Sequence, residues 1–116
     1  MVAQPPKPLR YTLYFVINST EIAPDSRETL TALLKEVGTR QAVEVEITGH
    51  TDRVGPVAKN DQLSLERAEA VKTLLLMQGL RTDFVRTVGR GEREPLIPTP
   101  DEQAEPRNRR VELLVR

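Results

Sequence analysis

TGHTDRVGPVAKNDQLSLERAEAV, residues 48–71, is the stretch on which the reading of this chain turns. It follows a run, AVEVEIT (42–48), that alternates cleanly. Val43, Val45 and Ile47 point one way; Glu44 and Glu46 point the other. That period of two marks a strand with one face on a core and one in water. Past the loop Gly49–Gly55, Ala68, Val71, Leu74 and Leu75 recur at helical spacing. That helix starts anywhere from Pro56 to Ser64, and Gly79 is placed to close it. Strand, tight loop and helix follow directly on one another. The loop carries an acid, Asp52, and the helix a base, Arg67.

The remaining elements follow outward from this unit. Residues 11–17, YTLYFVI, are aromatic and β-branched and apolar on both faces, which predicts a central strand. A first helix begins at Pro24, carries Leu30, Leu33, Leu34 and Val37 on one face, and stops at Gly38. Residues 81–85 read as a short turn and Val85–Gly89 as a third strand. Gly91–Arg109, with Pro95, Pro98, Pro100 and Pro106, reads as a long loop of the kind that is functional or mobile. Arg110–Val115 alternates again, with Val111, Leu113 and Val115 inward and Glu112 and Leu114 outward. The order β-α-β-α-β-β predicts an α/β two-layer sandwich: a mixed sheet with the two main helices on one face and water on the other. Residues 1–9, with three prolines, read as the Pro-rich end of a linker, and 10–116 as one domain cut from a longer protein.

Composition excludes several function classes. The 17 basic and 17 acidic residues cancel and only 3% of residues are aromatic, so there is neither the basic surface nor the stacking platform of a nucleic-acid binder. Cysteine is absent, which removes disulfides, thiolate metal sites and cysteine nucleophiles. No apolar run is long enough to span a membrane as a helix.

If helical geometry holds from Asn60, then Asn60, Leu63 and Arg67 share a face that opens toward the loop bearing Thr51 and Asp52. A planar guanidinium suits a carboxylate, and a carboxylate suits an ammonium. An amino-acid head group carries both. Spacing alone leaves a second reading open, in which Asp52 and Arg67 pair with each other or cap and line the helix start. His50-x-Asp52 is half of a metal site at most, since there is one histidine and no cysteine. His50 reads instead as a loop residue hydrogen-bonded to backbone. Ser64 with His50 lacks the elbow motif of a serine nucleophile. Gly89-Arg90-Gly91 is too short for a dinucleotide loop, so its glycines read as turn formers. The RNRR run at 107–110 is either a solvated strand entrance or a second anion contact near the site.

Taken together, GHTD (49–52), the Gly-Pro turn and NDQLSLERAEAV (60–71) resemble the OmpA-like C-terminal domain shared with Pal lipoproteins and the MotB stator. FVINST (15–20), GRGEREP (89–95) and NRRVEL (108–113) extend the resemblance over residues 11–116. Val16 and Ile17 depart from it, standing where the family is more polar. The resemblance implies a binding module without cofactor or metal that holds peptidoglycan through the meso-diaminopimelate of the stem peptide. On that pattern Asp52 takes the ammonium and Arg67 the carboxylate. Thr51, Asn60 and Leu63 line the pocket, and Asn18 and Arg109 close it. It also implies the periplasm of a Gram-negative bacterium, with membrane attachment only through other regions of a longer protein. Two other classes stay open: a protein–protein assembly module of a secretion or motility complex with a vestigial pocket, and a wall enzyme. The second needs a metal or nucleophile cluster that the sequence does not offer.

Overall fold

The computed structural model describes residues 8–39, 41–100 and 102–116. Strand β1 (Leu9–Tyr14) leads through a short 3-10 turn, Pro24–Ser26, into helix α1 (Arg27–Thr39). Strand β2 (Gln41–Gly49), helix α2 (Val57–Met77) and strand β3 (Arg81–Gly89) follow. A second 3-10 turn, Pro106–Asn108, precedes strand β4 (Arg110–Val115). The sheet order is β1-β4-β2-β3, with β2 and β3 parallel and β4 antiparallel to both its neighbours. The alternation seen in sequence decides the layering. Val45, Ile47, Val111, Leu113 and Val115 are buried against Leu33 and Val37 of α1 and Ala68, Val71 and Leu75 of α2. Glu112 is exposed, and Glu44 and Glu46 are half-buried on the other side. The protein is therefore a two-layer α/β sandwich on a mixed sheet, with one sheet face uncovered. Inward burial of Val43 lies outside the described residues.

Five expectations need correction. β1 is an edge strand and not a central one, because β4 inserts between it and β2. It also ends at Tyr14: Phe15 bridges back to Ile22, and Ile17 lies 45% exposed in a loop. Leu9, expected in the linker, starts β1 by pairing with Val115, while residues 1–7 of that linker lie outside the described residues. Residues 81–85 are not a turn. The parallel ladder with β2 begins at Gln41–Arg81 and draws them into β3, a tertiary pairing that local propensity does not encode. α1 runs past Gly38 to Thr39, and α2 takes the early start, with Pro56 as its N-cap.

Candidate ligand-binding site

The site is assembled where β2 and β3 end, side by side, beneath the start of α2. Both strands end in glycine, and the spacing requires it. A methyl group on Gly49 would overlap the carbonyl oxygen of Ser64, and one on Gly89 would stand 2.7 Å from Ser64 Oγ and 2.8 Å from Leu65 N. α2 can therefore lie directly on the strand ends. Ser64, fully buried, fastens the contact: its hydroxyl donates to the Asp61 carbonyl (2.8 Å) and accepts from Gly91 N (2.9 Å). The two following loops are joined by Arg90 N to Gly49 O and Thr51 N to Gly91 O, each 2.9 Å. This fixes the loop that carries Thr51 and Asp52 against the helix that carries Asn60, Leu63 and Arg67.

A cavity of about 370 Å³ opens between them. Asn18, Thr51, Asp52, Asn60, Leu63 and Arg67 all line it, with Ile17, Lys59 and the Val54–Pro56 turn. Of the residues named from sequence, Arg109 alone is outside the lining. It reaches Asp52 from behind, NH1 to Oδ2 at 3.0 Å, and donates through Nε to Phe15 O at 3.3 Å. No ion pair joins Asp52 to Arg67, so the reading in which they neutralise each other fails. Asp52 is 4% exposed and also accepts from Val54 N and Glu105 N, both at 3.3 Å.

Arg67 is completely buried. Its guanidinium donates to three backbone carbonyls: Nε to Ser19 (2.8 Å), NH1 to His50 (2.9 Å) and NH2 to Val16 (3.0 Å). Phe15 lies under it with the ring centroid 5.3 Å away, a cation–π contact. A guanidinium has five N–H donors, so one remains on each terminal nitrogen. Burial lowers its pKa to about 10; the Asp52 charge pulls the other way and that of Arg109 adds to the lowering. It stays protonated at neutral pH, a buried cation in a cavity wall. No pattern in the sequence marks that Arg67 also ties two loops together, the one carrying Val16 and Ser19 and the one carrying His50.

Residues 14–109 match the model of the OmpA family. The chain belongs to the OmpA family. Outer membrane porin F of Pseudomonas fluorescens is 35% identical over 101 residues, covering 87% of this chain and 31% of the porin. Peptidoglycan-associated lipoprotein of Pseudomonas aeruginosa is 36% identical over 103 residues, covering 88% of this chain and 60% of the lipoprotein. The chain thus spans less than two thirds of either relative. The crystal structure of the peptidoglycan-associated lipoprotein from Burkholderia pseudomallei matches with a TM-score of 0.69 at 27% identity, over 91% of this chain and 90% of that one.

Within this OmpA-family domain the smaller roles divide as follows. Asn60 is 5% exposed and spends its amide nitrogen on the carbonyls of Asp52 (3.3 Å) and Val54 (3.1 Å), so it shapes the acidic turn as well as lining the cavity. Asn18 has φ +51°, a left-handed conformation that asparagine tolerates better than most residues. Thr51 is 2% exposed, and its hydroxyl has no hydrogen-bond partner. His50 is bonded through its main chain, its N–H to Arg110 O at 2.8 Å. Its ring makes no hydrogen bond; Nε2 stands 3.6 Å from Glu112. Burial first, then the Arg110 charge, hold the His50 pKa down to about 4, with Glu112 and Glu94 opposing and Arg90 reinforcing. Ser64 has its hydroxyl committed beneath the helix and is no nucleophile. Gly91 turns the backbone at φ +58°. Among the described residues no cluster of His, Cys, Asp and Glu could hold a metal.

Proposed function

We propose that this domain binds peptidoglycan non-covalently through the diaminopimelate of the stem peptide, and so anchors a larger envelope protein to the wall from the periplasm. The observation that carries the reading is the state of Arg67. A fully buried cation lines an open cavity with spare N–H donors and no carboxylate in ion-pair distance, while a carboxylate, Asp52, lines the same cavity. A buried charge without a partner is costly, and a ligand carboxylate is the group that would relieve it. Asp52 accepts three hydrogen bonds, and a carboxylate has about four acceptor sites, which leaves room for one ammonium N–H. The two charges therefore suit an ammonium and a carboxylate on one carbon. Thr51, its hydroxyl unpaired in the same wall, adds a neutral hydrogen bond. Two of the relatives are peptidoglycan-associated lipoproteins by name, which supports the same partner. The domain is a binding module and not an enzyme.

One observation favours the assembly-module alternative: Asp52 is already paired with Arg109 at 3.0 Å, as in a site closed on itself. Co-sedimentation with purified sacculi separates the two. The parent domain pellets with sacculi and Asp52→Asn stays in the supernatant on the binding reading. Equal pelleting of both, with the fold confirmed by circular dichroism, would sink it.

A further inference from the structure

The basic run Arg107–Arg110 is only partly used by the structure described so far. Asn108 within it is fully buried and locked, accepting from Ile97 N at 2.8 Å and donating to Ile97 O at 2.7 Å. Arg110 is taken up by Glu112, Nε to Oε1 at 2.9 Å, and by the Glu94 carbonyl at 3.0 Å. Arg107 and Arg109 instead line a second cavity, of about 250 Å³, between the end of β1 and the two 3-10 turns. Tyr14, Phe15, Ala23 and Pro106 give it apolar walls. Arg107 is exposed there, and its side chain has no ion pair or hydrogen bond among the described residues.

Arg109 stands between the two cavities. It is absent from the lining of the first, yet its NH1 holds Asp52, which belongs to that lining. Its side chain is only 14% exposed and spends one N–H on Asp52 and one on the Phe15 carbonyl. A guanidinium has five N–H donors, so three remain for an occupant of the second cavity, the one that Arg109 lines. The single acid of that lining is Asp25, exposed and unpaired among the described residues. It offsets one of the two cations, so the cavity suits one negative charge and not two.

We propose that the second cavity binds a small organic monoanion, a carboxylate on an apolar body, and that its occupancy loosens Arg109 from Asp52. A carboxylate facing a guanidinium takes two parallel N–H bonds, a stronger arrangement than the single contact that Asp52 makes. As Arg109 turns to it, Asp52 keeps only the amides of Val54 and Glu105. Asp52 freed of its internal cation is the better partner for a ligand ammonium. One guanidinium thus couples the two cavities, and the coupling is reciprocal. Its effect on diaminopimelate rests on the peptidoglycan reading above; occupancy of the second cavity does not.

Phenylacetate is the probe, and phenylacetamide its neutral counterpart. In an amide NMR titration of the parent domain phenylacetate binds with a Kd of about 1 mM, the scale of a ligand of about ten heavy atoms. Shifts appear at Phe15, Arg107 and Arg109 and, through Asp52, at Val54 and Glu105. Phenylacetamide binds at least about fivefold more weakly. Arg107→Gln is exposed and keeps the fold, as a thermal melt verifies, and weakens phenylacetate about threefold. Saturating phenylacetate then raises the calorimetric affinity for meso-diaminopimelate about fivefold. Equal binding of the acid and the amide overturns the proposal, as do shifts confined to Asn18, Thr51 and Leu63 of the first cavity. A filled second cavity with Val54 and Glu105 unmoved and diaminopimelate affinity unchanged overturns the coupling. Diaminopimelate failing to bind while the phenylacetate shifts persist overturns the peptidoglycan reading and supports the second site alone.

Discussion

Two side chains of the cavity answer differently to substitution. Arg67→Ala would strand three carbonyls, that of His50 in a buried setting and those of Val16 and Ser19 in a part-buried one. Each lost partner costs about 1–3 kcal/mol, so a loss of about 4 kcal/mol or more is expected in urea denaturation. Absence of binding by Arg67→Ala then reports on folding as much as on recognition. Asp52→Asn is the cleaner probe: it keeps acceptor capacity toward Val54 N but loses the charge facing Arg109 and the ligand ammonium. It should cost about 2 kcal/mol of stability and at least about tenfold in affinity, read by melting and calorimetry. His50 supplies a pH test. Its folded pKa of about 4 lies below the ordinary histidine value of 6.5, so the unfolded chain binds the extra proton first. Stability is full above pH 6.5 and falls as pH drops toward 4, by up to about 3 kcal/mol. His50→Gln is of similar volume and does not titrate, so its melting temperature should vary less between pH 6.5 and 5 than that of the parent. An equal slope in both would remove His50 as the cause. At this scale the sequence marked which residues meet but not how they are bonded. The pairing of Asp52 with Arg109 spans 57 positions, and the three carbonyls of Arg67 belong to loops whose paths no local pattern encodes.

At the scale of elements, the close approach of α2 to the ends of β2 and β3 sets the cavity. Gly49→Ala puts a methyl into the Ser64 carbonyl, a backbone group that cannot step aside. About 3 kcal/mol of destabilisation is expected, or a shifted α2 with impaired binding. Gly79→Ala is the control. Gly79 has φ +88° at the end of α2 with open space around it, so the change costs about 1 kcal/mol in backbone strain and leaves binding alone. Comparable losses in the two variants would contradict a steric role for Gly49. The glycines themselves were visible in sequence as part of GHTD and GRG. Their purpose was not, because a close contact between a strand end and a helix fifteen residues on appears only once the parallel β2–β3 pairing brings both strand ends under α2.

The whole molecule was legible where burial follows a simple period. Glu44 and Glu46 opposite Val45 and Ile47, with Glu112 opposite Val111 and Leu113, announced a sheet covered on one side, and the structure is such a sheet. Sheet order was not legible, since β1 looked central from its apolar residues yet lies at the edge once β4 inserts beside β2. The early reach of β3 to Arg81 was hidden for the same reason, as its register comes from β2. Function at this scale rests on one idea: a rigid two-layer frame presents an acid and a buried base to a zwitterion. Calorimetric titration with free meso-diaminopimelate, followed by L-lysine, tests it most directly. Lysine keeps the side-chain ammonium and lacks the carboxylate beside it. A site built on Asp52 and Arg67 binds diaminopimelate and holds lysine at least about tenfold more weakly. Equal affinity for the two, or no binding of either by the folded domain, would contradict it.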